Sequence, residues 1–151
     1  MKQYPVDFWN DHYSKEEFIY GTQPNVFFKK QLEKLKIGNI LFPAEGEGRN
    51  AVYAASLGWD VTAFDISERG QEKAYRLANI KNVAINYKIS EVLAFETDQT
   101  FDVIVLSYAH FPAYMRKEAN QYLLHFLRPG GRVIFEAFAK AQLGNTSGGP
   151  K

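Results

Sequence analysis

The chain contains no cysteine. That excludes disulfide bridges, thiolate metal ligands and a cysteine nucleophile together, and it fits a reducing compartment. A marked excess of charge of either sign is also missing: 18 Lys and Arg stand against 17 Asp and Glu, for a net charge of +1. Composition therefore gives no sign of a nucleic-acid surface. No apolar run approaches the ~20 residues of a membrane helix, and residues 1–9 hold no signal-peptide core. These absences lead to the expectation of a cytoplasmic protein with no membrane association. Repeats and low-complexity tracts are absent as well. What is present is 151 residues, 46% of them hydrophobic and 15% aromatic. This is the size of one domain, long enough to bury roughly 70% of its unfolded surface.

Along the chain, short apolar runs alternate with helical spacings, the pattern of an α/β fold. Residues 1–38 read as a helical, aromatic-rich N-terminal cap within that domain. They carry Phe8, Trp9, Tyr13, Phe18 and Tyr20, a capping box of Ser14 with Glu17, and a helix capped by Asn25 that runs to about Lys36. The expected strands cover residues 39–44, 60–64, 83–87, 101–106 and 132–138. The expected helices between them cover 49–57, 68–79 (capped by Ser67) and 112–127. Arg128-Pro129-Gly130-Gly131 reads as a sharp turn. Right-handed crossovers then give one doubly wound, parallel, Rossmann-like sheet with helices on both faces. Ligands of such sheets bind beyond the carboxyl ends of the strands. Glu45, Asp65, Ser90 and the stretch Tyr108-Ala109-His110 fall there, so they are expected to line one crevice.

The turn after the first strand is Glu45-Gly46-Glu47-Gly48. Gly46-x-Gly48-x-x-Ala51, with Asp65 after the second strand, matches the loose dinucleotide fingerprint. By spacing alone the ligand is a nicotinamide or flavin dinucleotide, with Asp65 accepting from ribose hydroxyls. Charge argues otherwise. A pyrophosphate seeks the positive N-terminus of the helix, and Glu45 and Glu47 stand at that spot. A carboxylate about 4 Å from a phosphate costs on the order of 4 kcal/mol at an effective dielectric of 20. A phosphate-free cationic ligand gains instead. S-adenosylmethionine offers an ammonium, a sulfonium and a ribose. A P-loop is excluded, because no Gly-Lys-Ser/Thr follows.

Three stretches carry a family resemblance: Leu41-Phe-Pro-Ala-Glu-Gly-Glu-Gly-Arg-Asn50, Val61-Thr-Ala-Phe-Asp-Ile-Ser67 and Leu127-Arg-Pro-Gly-Gly-Arg-Val133. They resemble the class I S-adenosylmethionine-dependent methyltransferases. Tyr20-Gly-Thr-Gln-Pro-Asn25 and Gln142-Leu-Gly-Asn-Thr-Ser-Gly-Gly-Pro-Lys151 narrow this to the tellurite-resistance and thiopurine methyltransferase-like group. The resemblance implies transfer of a methyl group from S-adenosyl-L-methionine to a small molecule, leaving S-adenosyl-L-homocysteine. A soft sulfur, selenium or tellurium centre is the acceptor class it implies. It assigns cofactor contacts to Tyr20, Gly21, Glu45, Gly46, Glu47, Gly48, Asn50, Asp65, Ile66, Ser90, Glu91 and Ala109. The chain departs from the family at Pro43-Ala44, where an Asp-Leu type pair is usual, and at Ser90-Glu91, where an Asp often meets the adenine. Class I sheets add an antiparallel strand pair after the fifth strand. The sequence does not reach one, so residues 1–151 are expected to be a single, C-terminally truncated domain. An exposed sheet edge would then be open to a homodimer.

Methyl transfer is an in-line displacement that asks mainly for alignment and a dry pocket. His110, beyond the fourth strand and beside Tyr108, is the candidate base. Ser107-Tyr108-Ala109-His110 is not the Asx-Pro-Pro-aromatic motif of the nucleic-acid amino-methylases. Lys29, Lys30, Lys34 and Lys36 alternate with Glu33 and read as a solvated helix face. Arg49 is expected to meet the cofactor carboxylate or Glu47. No histidine and carboxylate spacing suggests a metal. Two competing readings remain: an NAD(P)-binding oxidoreductase, and a module that binds the cofactor without turnover.

Overall fold

The alternation of apolar runs and helical spacings becomes strand and helix in turn. The computed structural model describes residues 4–137. Its elements are α1 (Tyr4–His12), α2 (Val26–Leu32), β1 (Asn39–Pro43), α3 (Arg49–Ser56), β2 (Asp60–Asp65), α4 (Glu68–Ile80), β3 (Asn86–Ile89), β4 (Phe101–Ser107), α5 (Arg116–Leu124) and β5 (Leu127–Glu136), with a 3₁₀ turn at Val92–Ala94. The strands form one five-stranded sheet in the order β3-β2-β1-β4-β5, and every pairing is parallel.

The central strands show why the sheet is covered on both faces. Side chains alternate along a strand, so β1 sends Ile40 and Phe42 to one side and Leu41 to the other. Likewise β4 divides Val103 and Val105 from Ile104 and Leu106. The first side packs on Phe28 and Leu32 of α2 and on Ala51 and Ala54 of α3. The second packs on Phe95, Ala119 and Leu123. A run such as Val-Ile-Val-Leu is stable only in this doubly covered setting. Small residues on α3 let it lie close to its neighbours. A Cβ on Gly48 would stand 2.5 Å from the Ala74 Cβ of α4, so that glycine is required by helix packing.

Several expected boundaries move. Ser14 caps no helix: its hydroxyl donates to the Asp11 carbonyl at 2.7 Å, closing a turn after α1. Asn25 precedes α2 but makes no side-chain cap, and α2 ends at Leu32 rather than near Lys36. β3 lies three residues later than the pattern suggested, because residues 83–85 serve the turn and packing after α4. α5 is shorter at both ends. The expected turn 128–131 lies within β5, where the register jumps: Phe101 pairs with Leu127, but Val103 pairs with Arg132. Strand pairing resumes past the excursion and ends at Glu136. Pro43 is the last residue of β1, the position where a missing donor matters least. The family-like segment 142–151 lies outside the described residues.

All five strands point the same way, so their carboxyl ends form one rim. The order in which strands are added reverses between β1 and β4, the switch point where such folds open a crevice. Among the described residues no helix is long and apolar enough to cross a membrane.

Candidate functional site

At the β1–β2 end of the rim the glycine turn is held from every side. Asp65, buried at the end of β2, accepts from the Gly46 amide at 2.9 Å through Oδ2. Its Oδ1 accepts from the Ser67 amide at 3.0 Å. Burial pushes the Asp65 carboxyl up, and the amides of Ser67, Gly46 and Ile66 oppose that shift. A carboxylate has about four acceptor positions, so with the three amides in place about one stays open. Tyr87 of β3 donates to the Gly46 carbonyl at 2.6 Å. Gly46 adopts φ +62°, and a Cβ there would stand 2.5 Å from the Tyr13 hydroxyl. The turn therefore has a tyrosine as its roof. Burial first, then the charge of Asp65, pushes the Tyr13 phenol far above its ordinary range. Tyr13 stays a neutral donor.

Glu45 closes the helix end that a phosphate would want. Its Oε1 accepts from the amides of Asn50 and Ala51, both at 3.2 Å. Enclosure outweighs these bonds and pushes its carboxyl up to about 8. Near neutral pH the group is largely protonated.

Glu47 corrects the reading of a doubly acidic turn. It is buried, and its Oε2 lies 2.5 Å from Lys73 Nζ. Of the two partners expected for Arg49, Glu47 is held by Lys73; Arg49 donates to the Tyr20 carbonyl at 2.9 Å, with its guanidinium 5.8 Å from the Tyr20 ring centre. The repulsion argument against pyrophosphate thus loses one charge to Lys73 and part of another to protonation. A stronger one replaces it: Glu45 already occupies the first amides of α3.

Lys73 also donates to the Glu17 carbonyl at 2.5 Å. Arg76 donates to the Glu16 carbonyl, and its guanidinium lies 4.9 Å from the Phe18 ring centre. The Tyr20 amide reaches Glu47 Oε1 at 3.4 Å, and Tyr20 Oη meets His12 Nε2 at 2.9 Å. The segment 13–25 is therefore strapped across the glycine turn by side chains of α3 and α4. Gly21, at φ +76°, turns that strap.

The adenine end expected at β3 is sparse. The Ser90 amide donates to the Asp65 carbonyl at 3.0 Å, its hydroxyl donates to the Glu91 carbonyl at 2.8 Å, and Glu91 is exposed. Ile66 is half-buried beside Asp65.

The β4–β5 end carries a second polar group. Asn25 donates through its amide to Asn50 Oδ1 at 3.0 Å and through Nδ2 to Ser107 Oγ at 2.7 Å. Ser107 donates to Glu136 Oε2 at 3.3 Å. Tyr108 Oη donates to Glu136 Oε1 at 3.3 Å. Tyr108 has φ +51° and Ala44 has φ +52°. Left-handed backbone costs a residue with a side chain roughly 1–2 kcal/mol, and here it falls at the ends of two adjacent strands. His110 is half-buried, and burial followed by the charge of Arg116 lowers its pKa. It is thereby neutral and able to accept a proton near pH 7. Ala109 packs on the second core.

The structure thus brings Glu45, Gly46, Glu47, Gly48, Asn50 and Asp65 into one bonded turn, with Tyr20 and Gly21 laid over it. Ser90 and Glu91 sit at its β3 border. Tyr108, Ala109 and His110 sit across the switch point. Sequence reasoning missed Lys73, Tyr87 and Glu136. Lys73 lies on the buried stripe Gly70, Lys73, Ala74, Leu77, and a lysine at that spacing was a legible signal of a buried partner. Glu136 was read as mid-strand because the fifth strand was carried to 138. Among the described residues no group of three or more His, Cys, Asp or Glu side chains could hold a metal ion. The donor set suits an adenosyl ligand without phosphate: an open acceptor position on Asp65, an apolar neighbour in Ile66, and a helix end closed to phosphate.

A methyltransferase domain model matches residues 40–131, from β1 into the start of the last strand. No curated protein matches the chain. Among solved structures, the chain is similar to the N-methyltransferase NodS from Bradyrhizobium japonicum WM9 in complex with S-adenosyl-L-homocysteine. That match has a TM-score of 0.70 and 19% identity, over 87% of this chain and 71% of that one. A SAM-dependent methyltransferase from Thiobacillus denitrificans, also with S-adenosyl-L-homocysteine, matches at 0.65 and 20%, over 83% and 53%. TehB from Haemophilus influenzae matches at 0.68 and 19%, over 83% and 44%. The chain spans about half the length of the latter two. The tellurite and thiopurine subgroup is not singled out by these matches. The fold is that of the class I S-adenosylmethionine-dependent methyltransferases, and the chain belongs to the methyltransferase domain family.

Proposed function

We propose that this chain transfers a methyl group from S-adenosyl-L-methionine to a small-molecule acceptor. The observation that carries the reading is the paired state of the glycine turn. Asp65 keeps an acceptor position for a ribose hydroxyl, while Glu45 fills the α3 amides that a pyrophosphate would need. That combination also supports the methyltransferase over the NAD(P) oxidoreductase.

When bound, the cofactor supplies a methyl carbon already activated by a sulfonium; the acceptor's electron pair forms the new bond as the carbon–sulfur pair returns to sulfur. The chain's own residues hold and align. Asp65 binds the ribose, with Ile66 against the adenine and Ser90 and Glu91 at its border. Glu45, Gly46, Gly48 and Asn50 form the floor beneath the amino-acid end, and Glu47 holds Tyr20 there. Arg49, beside Tyr20 at the mouth, meets the cofactor carboxylate. Tyr20, Gly21 and Tyr13 cover the site and exclude water. On the far side Ala109 lines the crevice, Tyr108 orients the acceptor, and His110 takes a proton if the acceptor must lose one. The family resemblance points to a soft sulfur, selenium or tellurium acceptor, and the rim chemistry at β5 points to nitrogen.

The test is production of S-adenosyl-L-homocysteine from S-adenosyl-L-methionine in the presence of thiol, selenium and tellurium oxyanion, amine and hydroxyl acceptors. Formation with one class, abolished in Asp65→Ala, is the expected result. Binding of the cofactor with no formation in any class contradicts turnover and leaves the binding module.

A further inference from the structure

We infer that Glu136 is a specificity-determining carboxylate of the acceptor site, selecting an amine, which loses its ammonium proton to His110 before its freed electron pair takes the methyl group, over an anionic acceptor. The inference rests on the methyl-transfer reading and names its substrate class.

Glu136 ends β5 on the same rim as Asp65 and Tyr108. A chain of bonds links it to the glycine turn. Glu45 accepts from the Asn50 amide, Asn50 Oδ1 accepts from the Asn25 amide, and Asn25 Nδ2 donates to Ser107 Oγ. Because the Ser107 oxygen receives that bond, its proton is committed outward to Glu136. The second carboxylate oxygen accepts from Tyr108.

What Glu136 lacks, among the described residues, is an ion-pair partner. Glu47 has Lys73 and Asp102 has Arg128, whereas among the described residues no Lys, Arg or His forms an ion pair with Glu136. Two neutral hydroxyls fill about half of a carboxylate's acceptor positions. The ribose acid lies on β2 and the switch point between β1 and β4. A ligand crossing the turn from Asp65 therefore directs its reactive end toward β4 and β5. The group arriving there meets a carboxylate that has no ion-pair partner among the described residues and has acceptor positions open, with the Arg49 charge felt no nearer than Tyr108. An amine supplies N–H donors and gains charge complementarity. A thiolate, carboxylate or oxyanion supplies no donor and is repelled, the repulsive half of specificity.

Sinefungin tests this directly, because a carbon bearing an ammonium replaces the methyl-bearing sulfonium in it. S-Adenosyl-L-homocysteine carries no charge at that position. The wild-type chain and Glu136→Gln are titrated calorimetrically with both. The expected result is that homocysteine-form affinity stays within about twofold in Glu136→Gln, while the preference for sinefungin over it falls by about tenfold, the scale of one charge pair screened nearly as in water. Glu136→Asp keeps the charge and is expected to retain most of the preference. A preference unchanged in Glu136→Gln, or lost equally in Glu136→Asp, overturns the inference. Failure of S-adenosyl-L-homocysteine to bind the wild type overturns the methyl-transfer reading beneath it.

Discussion

The two ends of the strand rim satisfy their polar groups in opposite ways. At the β1–β2 end, the charges and amides of the glycine turn answer to groups of the same chain. Asp65 holds the Gly46 and Ser67 amides, Glu45 holds those of Asn50 and Ala51, and Glu47 is buried against Lys73. At the β4–β5 end, among the described residues Glu136 has only hydroxyl donors. A region that is internally saturated is preorganised: it keeps its shape before any ligand arrives. A region left with a charge that no ion pair balances depends on what arrives to complete it. This difference matches a division of labour, with a fixed cradle on one side and a selective pocket on the other.

The comparison breaks most visibly at the buried pair. Lys73→Met leaves the Glu47 carboxylate buried without a partner and is expected to cost about 3–5 kcal/mol. Adding Glu47→Gln to it should recover much of that loss. Chemical denaturation of the three variants measures both steps, and equal stability of Lys73→Met and wild type would show the cradle is not locked as described.

Glu45 sharpens the same side through pH. Folding raises its pKa from 4.5 to about 8, so the folded chain binds that proton more tightly than the unfolded one. The stability contributed is full below about pH 4.5 and is lost as pH rises toward 8. Glu45→Gln keeps an acceptor oxygen for α3 and lacks this loss. Its stability relative to wild type is expected to rise between pH 5 and 8 by on the order of a few kcal/mol, then level off. Thermal melting across that range reads it.

Gly48→Ala places a methyl against the Ala74 backbone at 2.9 Å while holding φ near +87°. A loss of about 2 kcal/mol is expected, from strain and overpacking together. The smallest effect is at the strained residue Ala44. Ala44→Gly relieves φ +52°, offset by glycine's greater chain entropy, so a gain of at most about 1 kcal/mol is expected in the melting midpoint.

Much of the cradle was legible before the structure, because its chemistry is local. Glu45, Gly46, Gly48 and Asp65 come from two strand ends that apolar runs mark clearly, and Ser67 caps α4 as its type predicts, accepting from the Gly70 amide at 3.0 Å. The partners were harder. Lys73 meets Glu47 and Tyr87 meets Gly46 across long loops of sequence, so only packing shows these pairs. Asn25 looked like a cap because its residue type favours one. The fold uses it instead to bridge Asn50 and Ser107, a tertiary bond that outweighs the local preference. Glu136 was hidden by a boundary. The fifth strand was carried to 138, whereas strand pairing ends at Glu136.

The central claim is that the cradle binds an adenosyl ligand through Asp65 and excludes phosphate through Glu45. Calorimetric titration with S-adenosyl-L-homocysteine, with NAD⁺ alongside, tests it most directly. Saturable binding of the first, lost in Asp65→Ala, with none of the second, is the predicted result. Binding of NAD⁺ without S-adenosyl-L-homocysteine would contradict it.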